Sequence, residues 1–410
     1  MIKPVHLQHS SKSAGSSAKR LNRAFLEAGL DSYIVSLQSD VNDTDRVILT
    51  GRTSKYIASL DEKLTSFLAR RNEKKYGLFT YSFLGSDVSG IKEIRESDII
   101  YLHWVQGGFL NVSSVRKLLE LNKPVIIFMH DMWSITGGCH YSFECEKYKT
   151  RCCSCQVFYH HRKNDWSSKQ FDRKQHLYSK FNNLYFVAPS LWMSNCAKES
   201  SLAGHKPVFH IPNIINEEIF KPLEKTFAKQ MFNLRDEGPV IAFGAMSVNS
   251  PYKGWTYFAD ALKILKYDLN INDITLLIFG SGFDSAIASE VPYKTKFAGY
   301  LRDEYSSALV YNAADIFVTP SLADNLPTTI LESLSCSTPV VGFNVGGIPD
   351  MIRHKENGYV SVYKDAEDLA NGIRFCIQNR ISGWLPDNFS KNKIMEKHKD
   401  LFKIAGINHD

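Results

Sequence analysis

Short apolar runs alternate with segments of helical periodicity along almost the whole chain. The apolar runs predict buried strands, and the amphipathic segments between them predict helices. In the first half the predicted strands are Tyr33–Leu37, Ile99–Trp104, Val125–Met129 and Tyr185–Ala188, and the predicted helices include Ser17–Ala28 and Val112–Leu121. This alternation is typical of βαβ units, which build a parallel sheet.

The same alternation starts again in the second half of the chain. Strands are predicted at Val240–Phe243, Thr275–Phe279, Ile316–Thr319 and Val340–Phe343, and helices at Thr256–Lys266, Tyr305–Ala313 and Thr328–Ser335. The segment between the two halves is polar and contains three prolines, which suits a linker between domains.

The pattern therefore predicts an α/β protein with two Rossmann-like, doubly wound domains that face each other across a cleft. The N-terminal domain spans residues 1–210, the linker residues 211–238 and the C-terminal domain residues 239–385. Residues 386–410 form an irregular segment and a terminal helix, which we expect to cross back to the N-terminal domain. In folds of this class a ligand binds at the carboxyl ends of the strands.

The composition is that of an ordinary globular protein, since 44% of the 410 residues are hydrophobic and 22% are charged. No apolar run in the sequence approaches the roughly 18 residues that a membrane-spanning helix needs. The first residues turn polar too early to form the apolar core of a signal peptide. We therefore expect a cytoplasmic protein.

The net charge of +6 is unevenly distributed. Residues 1–205 contain 28 Lys and Arg against 19 Asp and Glu, whereas the remaining residues contain 21 against 24. A basic half can bind a nucleic acid or an anionic membrane surface. Its densest cluster, residues 69–75, equally fits a solvated helix face. Because no aromatic-basic nucleic-acid motif accompanies it, we expect a peripheral membrane contact and no nucleic-acid partner.

Residues 324–332, DNLPTTILE, place one acid in a loop after a predicted strand and a second acid in the following helix. Pro327 opens this helix, whose first amides attract phosphate. Asp324 could accept hydrogen bonds from sugar hydroxyls, and Glu332 could bind a vicinal diol such as a ribose. The spacing thus suits a sugar–diphosphate–nucleoside. The alternative is an ordinary capped helix in which Asp324 makes a cap contact.

Further candidate side chains follow other predicted strands. The ammonium group of Lys253 could neutralise a departing diphosphate, and a surface lysine in a turn is the alternative. His130 could contact a substrate at the end of its strand, although a core or capping histidine fits the same position. Gly15 and Ser16 precede a predicted helix and could let a phosphate or an acceptor approach closely.

Five of the eight cysteines lie between Cys139 and Cys155. Disulfides are rare in a reducing cytoplasm, whereas four thiolates from this set could bind a structural zinc ion. The candidate ligands are Cys139, Cys145, Cys152 and Cys155, of which only the last two have a favoured ligand spacing. Free thiols or an occasional disulfide are the alternatives.

Together these segments resemble the retaining, nucleotide-sugar-dependent glycosyltransferases of family 4, which share the two-domain GT-B fold. The most specific part is residues 311–352, YNAADIFVTPSLADNLPTTILESLSCSTPVVGFNVGGIPDMI. It is similar to the E-x7-E region of that family, with Asp324 in place of the first glutamate and Glu332 matching the second. Residues 137–157 resemble a cysteine-bearing insertion of a bacterial subgroup that builds surface polysaccharides.

The resemblance implies roles for individual residues. Asp324 would contact the hydroxyls of the donor sugar, Glu332 the ribose and Lys253 the diphosphate, with His130 near the transferred sugar. Further implied donor contacts are Gly15, Ser16, Asn325, Leu326, Pro327, Thr328 and, near the base, Gly299, Tyr300 and Leu301. The chain departs from the family where an arginine usually precedes the phosphate lysine, because Ala245 and Met246 stand there. Either another cation replaces it, such as Arg302 or one from the first domain, or turnover is slow.

By this resemblance the protein would transfer a hexose-type sugar, with retention, from a nucleoside diphosphate to a hydroxyl of a lipid-linked glycan. The product would enter a bacterial capsule, exopolysaccharide or lipopolysaccharide. No catalytic metal is expected, because fixed positive groups would stabilise the leaving diphosphate. Two other functions fit the fold. A nucleotide-sugar epimerase would need acids from both domains, and only Asp131 is a candidate in the first half. A binding subunit or scaffold would keep the fold and lose the contacts with phosphate, which is consistent with the absence of the usual arginine before Lys253.

Overall fold

The structure is a computed structural model that describes residues 1–12, 16–39, 45–68, 72–159, 162–234, 238–247, 250, 252–282 and 289–407. The chain forms two compact units. The first contains Met1–Ile214 and Asn392–Asp410, and the second contains Ile215–Lys391. Of the helices described, none is long and apolar enough to cross a membrane.

The first unit is built on a parallel sheet with seven strands among the described residues. The strands are β1 (Pro4–Ser10), β2 (Tyr33–Gln38), β3 (Val47–Leu49), β4 (Ile99–Leu102), β5 (Val125–Phe128), β6 (Leu184–Ala188) and β7 (Val208–His210), in the spatial order β3-β2-β1-β4-β5-β6-β7. The helices are α1 (Ser17–Glu27), α2 (Arg52–Leu68), α3 (Glu73–Tyr76), α4 (Lys92–Glu96), α5 (Val112–Leu119), α6 (Trp166–Lys180) and α7 (Leu191–Glu199). The chain order changes direction between β1 and β4, the kind of position where doubly wound sheets bind ligands.

The second unit has a parallel sheet with six strands in the described part of the chain. The strands are β8 (Val240–Ser247), β9 (Thr275–Ser281), β10 (Lys294–Gly299), β11 (Ile316–Thr319), β12 (Val340–Phe343) and β13 (Gly358–Ser361), in the order β10-β9-β8-β11-β12-β13. The helices are α8 (Lys225–Met231), α9 (Trp255–Lys263), α10 (Glu304–Ala313), α11 (Thr328–Ser335), α12 (Ile348–Met351) and α13 (Ala366–Gln378). Helix α14 (Lys391–Ile404) follows the second unit in the chain.

The central strands of each sheet are buried on both faces, and successive residues of a strand point to opposite faces. In the first unit Ile100 belongs to one hydrophobic layer and Tyr101 to the layer on the other face. In the second unit Phe317 and Val318 are divided in the same way. The predicted α/β class with two Rossmann-like, doubly wound domains is therefore confirmed.

Most of the segment predicted as a linker belongs to the second unit. The boundary lies after Ile214, and Ile215, Phe220 and Ala228 are buried in one core layer of that unit. The intervening residues 221–227 are exposed, which explains why the segment has a polar composition. The segment therefore contains helix α8 and contributes to the core of the second unit.

Helix α14 completes the core of the first unit. Its residues Ile394, Leu401 and Phe402 are buried in the layer that also holds Phe25 of α1 and Tyr101 of β4. The last residues of the chain thus supply one side of the hydrophobic layer on that face of the sheet.

Three histidines form a line in the first unit: His6 within β1 and His103 just after β4 are buried, and His130 just after β5 is partly buried. The Nδ1 atom of His6 lies 3.0 Å from Nε2 of His103, and Nδ1 of His103 lies 2.9 Å from Nε2 of His130. On the same face, the Tyr101 hydroxyl lies 3.1 Å from Nδ1 of His398 in α14. Burial lowers the pKa of His6 to about 3, with a smaller contribution from His398, and burial alone lowers the pKa of His398 to about 3. These rings are therefore neutral inside the folded unit.

We expect acid to destabilise the first unit through these histidines. A histidine whose folded pKa is lowered binds its proton only in the unfolded chain, so stability falls as the pH drops from about 6.5 towards the folded pKa of about 3. Going from pH 7 to pH 5 should cost about 2 kcal/mol of unfolding free energy for each of His6 and His398. Urea unfolding followed by tryptophan fluorescence at the two pH values measures this loss.

The matched variants are His398→Gln and, as a control, His176→Gln at an exposed position. The first should reduce the loss between pH 7 and pH 5 by about 2 kcal/mol, and the control should leave it unchanged. An identical pH dependence in His398→Gln and the parent would show that the buried ring does not contribute.

Candidate functional site

Three loops meet at the carboxyl ends of neighbouring strands in the second unit. Strand β11 pairs in parallel with β8 on one side and with β12 on the other. The loop after β8 includes Lys253, the loop after β11 includes Asp324, and the loop after β12 includes Gly346. Because parallel strands end at the same edge of the sheet, these loops form one continuous surface.

The first two loops are joined through their backbones. The amide of Leu322 donates a hydrogen bond of 2.6 Å to the carbonyl of Tyr252. Gly254 has a φ of +67°, and a Cβ atom there would overlap the carbonyl oxygen of Pro320. Glycine is therefore required next to Lys253 both for its backbone conformation and for the close approach of the loop after β11.

Lys253 and Asp324 form an ion pair within this surface. The Nζ atom of Lys253 donates a hydrogen bond of 2.6 Å to Oδ2 of Asp324, and the two side chains are 31% and 13% exposed. The hydroxyl of Ser321 lies 3.5 Å from the same oxygen. The structure thus brings together two of the predicted catalytic residues, which are 71 positions apart in the sequence.

The third loop supports the backbone of Asp324. The amide of Gly347 donates to the Asp324 carbonyl at 3.4 Å. At Gly346, where φ is +57°, a Cβ atom would overlap the same carbonyl oxygen. The glycine pair after β12 therefore allows this loop to pack against the residue whose carboxylate contacts Lys253.

Helix α11 begins beside the ion pair. Its N-cap residue is Pro327, and no side chain caps this end. Asn325 and Leu326, which precede it, are both buried. The predicted alternative, in which Asp324 takes part in the cap, does not match the contact of its carboxylate with Lys253. The first amides of α11 and the positive end of its dipole therefore remain suited to an anion.

Glu332 lies one turn into α11 and is only 7% exposed. Its Oε2 atom accepts a hydrogen bond of 3.1 Å from the hydroxyl of Tyr311, a fully buried residue of α10. Sequence reasoning did not identify Tyr311, since a tyrosine in an amphipathic helix has no distinct pattern. Its aromatic ring packs against Phe317 of β11, which fixes the direction of the hydroxyl.

The predicted base contacts lie at the edge of the second sheet. Gly299 ends β10 with a φ of +77°, Tyr300 is exposed, and Leu301 packs against one core layer of the unit. Arg302, the suggested replacement for the missing arginine, is exposed. Ala245 is buried in β8, and the side chain of Met246 lies outside the described residues.

In the first unit, the ring of His130 lies beside that of His103, with Nε2 of His130 2.9 Å from Nδ1 of His103. Burial lowers the pKa of His130 to about 4, although Asp131 acts in the opposite direction. Asp131 itself lies 2.6 Å from Nδ1 of His140 and accepts a hydrogen bond from the amide of Trp133. Burial would raise the pKa of Asp131, but the charge and hydrogen bond of His140 lower it. The Asp131 carboxylate is therefore held in place by its contacts with His140 and Trp133.

Ser16 precedes helix α1 without capping it by its side chain. Its hydroxyl donates a hydrogen bond of 3.0 Å to Oε1 of Gln8 in β1. Gly15, predicted with it as a donor contact, lies outside the described residues.

The cysteines of the insertion line a common cavity. Cys139, Cys145, Cys152, Cys153 and Cys155 all border it, and the Sγ atoms of Cys139 and Cys155 are 3.9 Å apart. That separation is too long for a disulfide, at about 2 Å, and close to the roughly 3.8 Å between sulfurs on a tetrahedral zinc. Among the described residues, however, no group of three or more His, Cys, Asp or Glu is arranged to hold a metal ion. Zinc binding therefore stays a prediction.

Comparison with known proteins identifies the second unit. Residues 238–379 match the family model described as Glycosyl transferases group 1. The second unit therefore carries a domain of this type, and Lys253, Asp324 and Glu332 all lie within the matched residues.

Two curated relatives come from Escherichia coli. UDP-Gal:alpha-D-GlcNAc-diphosphoundecaprenol alpha-1,3-galactosyltransferase is 24% identical over 231 residues, which are 52% of this chain and 58% of that protein. The putative colanic acid biosynthesis glycosyl transferase WcaC is 26% identical over 260 residues, 59% of each chain. The chain spans about half the length of the curated relatives it matches.

Solved structures share the fold over the whole chain. Anabaena Alr3699/HepE in complex with UDP and glucose matches with a TM-score of 0.64 and 13% identity, over 98% of this chain and 100% of that one. A glycosyltransferase from Rickettsia africae matches with the same TM-score and 16% identity, over 100% of this chain and 99% of that one. The two α/β domains are therefore those of the GT-B fold.

We expect the cysteine cavity to bind one zinc ion per chain. Elemental analysis of protein purified under reducing conditions measures it directly, because reduction keeps the thiols available as ligands. The double variant Cys152→Ser, Cys155→Ser should lose the metal. Cys376→Ser, at a buried cysteine of the second unit, is the control and should retain it. A parent protein without zinc would leave the cysteines as free thiols.

Proposed function

We propose that the protein is a retaining glycosyltransferase that moves a sugar from a nucleoside diphosphate to a hydroxyl of a glycan. The observation that carries this proposal is the Lys253–Asp324 ion pair beside the start of helix α11. The pair lies in a domain that matches Glycosyl transferases group 1. Two solved structures of Anabaena Alr3699/HepE, which share the fold, are complexes with UDP-glucose and with UDP, and this supports a nucleotide-sugar donor.

The donor would replace the partner of Lys253. A diphosphate carries more charge than one carboxylate, so we propose that it takes over the hydrogen bonds of the ammonium group. The Asp324 carboxylate would then accept hydrogen bonds from the hydroxyls of the sugar. The backbone of Asn325, Leu326, Pro327 and Thr328 would lie along the sugar and the diphosphate at the positive end of α11.

Glu332 would bind the ribose of the donor. Two adjacent hydroxyls can donate to one carboxylate, and the hydrogen bond from Tyr311 holds that carboxylate in a single orientation. Gly299, Tyr300 and Leu301 would border the base. The exposed ring of Tyr300 offers a surface on which a base can stack.

The transfer step would occur on one face of the sugar. The bond between the anomeric carbon and the diphosphate oxygen breaks, and the acceptor oxygen bonds to the same carbon from the same side. The proton of the acceptor hydroxyl moves to the departing diphosphate. Lys253 and the amides of α11 stabilise the charge that develops there, so we propose that no catalytic metal takes part. His130, neutral at pH 7, would offer a hydrogen bond to the transferred sugar.

The acceptor would be a lipid-linked glycan at a membrane surface. One relative is named for an acceptor carried on diphosphoundecaprenol, and another for colanic acid biosynthesis. The basic first half of the chain, residues 1–205, would favour an anionic leaflet, where each cation near the surface contributes about 1 kcal/mol. We therefore propose a role in the assembly of a bacterial surface polysaccharide by a cytoplasmic, peripherally bound enzyme.

A binding subunit with little turnover is the second candidate. It is favoured by Ala245, which replaces a cation that related transferases use for the diphosphate. An epimerase of the same fold is less favoured, because the carboxylate of Asp131 is already paired with His140.

Incubation with UDP- and GDP-sugars distinguishes these functions. The transferase should release free nucleoside diphosphate by slow hydrolysis of one donor, and Glu332→Ala should abolish that release, because it removes the ribose contact. Chromatography of nucleotides and sugars provides the measurement. Isomerised donor would indicate the epimerase, and an unchanged donor with every sugar would indicate the binding subunit. Glu332→Ala with the activity of the parent would contradict the proposed site.

The variant Lys253→Ala should lower turnover more than it weakens binding of the nucleoside diphosphate. We expect a loss of about 10²-fold in kcat, which is typical when one group that stabilises a leaving charge is removed. Lys263→Ala is the control, since Lys263 lies in α9 and pairs with Asp260 at the surface. Equal kcat values for Lys253→Ala and the parent would refute the role of the ammonium group.

A further inference from the structure

Helix α2 in the first unit has one face that is firmly packed. Ala58 belongs to a core layer, and Oδ1 of Asp61 accepts a hydrogen bond of 2.8 Å from the amide of Leu84. The hydroxyl of Thr65 donates to the carbonyl of Tyr81 at 3.1 Å. These contacts fix the rotation of the helix about its axis, so the residues on its opposite side point away from the core of the unit.

The opposite face carries large apolar side chains in solvent. Tyr56 is 70% exposed, Leu60 is 39% exposed and Phe67 is 74% exposed. Successive residues of an α-helix are about 100° apart, so these three side chains lie within a sector of about 40°. We call Tyr56, Leu60 and Phe67 the outer stripe of α2.

Basic side chains lie on the same exposed side of α2 as the outer stripe. Arg52, Lys55 and Lys63 are all exposed. By the same helical spacing, Lys63 and Arg52 lie directly beside the stripe. The exposed acid of the helix among its described residues is Glu62, because Asp61 faces the core. The outer face therefore combines aromatic and aliphatic groups with an excess of positive charge.

The outer stripe differs from other exposed aromatic residues of the chain in that its members lie on one helix. Tyr267 and Tyr305 in the second unit are exposed to similar degrees but belong to separate elements. Single exposed apolar residues are common on protein surfaces, whereas a continuous stripe on one helix is typical of a binding surface. A stripe bordered by Lys and Arg fits the interface of an anionic bilayer, into which aromatic side chains insert below the phosphate groups.

We propose that helix α2 docks the protein on an anionic membrane surface. The outer stripe enters the boundary between headgroups and acyl chains, while Arg52, Lys55 and Lys63 contact lipid phosphates. A Cβ atom at Gly108, in the loop after β4, would overlap the backbone of Ala58. The inner face of α2 thus touches a loop at the carboxyl end of the first sheet. Docking through α2 would bring that end of the sheet to the membrane, and it does not depend on transfer activity.

Sedimentation with vesicles tests the proposal without any nucleotide sugar. The parent protein should bind vesicles of equal parts phosphatidylglycerol and phosphatidylcholine at least tenfold more tightly than vesicles of phosphatidylcholine alone. The double variant Tyr56→Ser, Phe67→Ser should lose on the order of tenfold in affinity for the anionic vesicles. Lys63→Glu should lose a similar factor, because it reverses a charge at the surface. Tyr267→Ser and Tyr305→Ser are the matched controls and should bind like the parent.

The test distinguishes other occupants of the stripe. Equal binding by the double variant and the parent would overturn the proposal, as would a parent protein that ignores anionic vesicles. Self-association that the double variant abolishes, together with an absence of vesicle binding, would assign the stripe to a second copy of the chain. The thermal midpoints of all variants check that the unit remains folded.

Discussion

The chemistry of the candidate site depends on the ion pair between Lys253 and Asp324. The loops that carry these two residues are held in place by other contacts. A partly exposed ion pair contributes about 0–1 kcal/mol. The backbone hydrogen bond between Leu322 and Tyr252, and the close packing at Gly254 and Gly346, fix the loops independently of that pair. The lysine can therefore exchange its carboxylate for a phosphate without disturbing the loops. Fixed loops and a lysine whose partner can be exchanged suit a ligand that must bind and dissociate in each catalytic cycle.

In the first unit, several polar side chains lie inside the core. His6, His103 and His398 are buried as neutral rings, and the partly buried Asp131 contacts His140. Neutral groups lose less on burial than charged ones do, so these side chains can contact one another inside a hydrophobic layer. The consequence for function is that Asp131 is part of the architecture of the unit. In the second unit, by contrast, the charged pair of Lys253 and Asp324 is partly exposed at the surface formed by the loops.

The sequence alone predicted the two sheets because their strands are short and almost entirely apolar. Strands β11 and β12 and helix α11 have the predicted bounds. Helix α2 was not predicted, since its outer stripe adds apolar residues to the side that a helical pattern should leave polar. Lys253 and Asp324 were proposed on separate grounds, but their contact could not be predicted. It depends on the order of β8 and β11 in the sheet, and strand order is not a local property. Tyr311 was missed because a tyrosine in an amphipathic helix has no distinct pattern, and because its contact with Glu332 requires the packing of α10 against α11.

Helix α14 makes the first unit discontinuous in the chain. Its buried residues come from positions 394–402, whereas the other residues of that layer, such as Phe25 and Tyr101, are all made before residue 215. On the ribosome, the second unit is therefore complete while one face of the first unit still lacks its cover. Until α14 has been synthesised, Phe25 and Tyr101 lack the side chains that cover them in the folded unit. During that interval the nascent chain carries an apolar surface of the kind that chaperones bind.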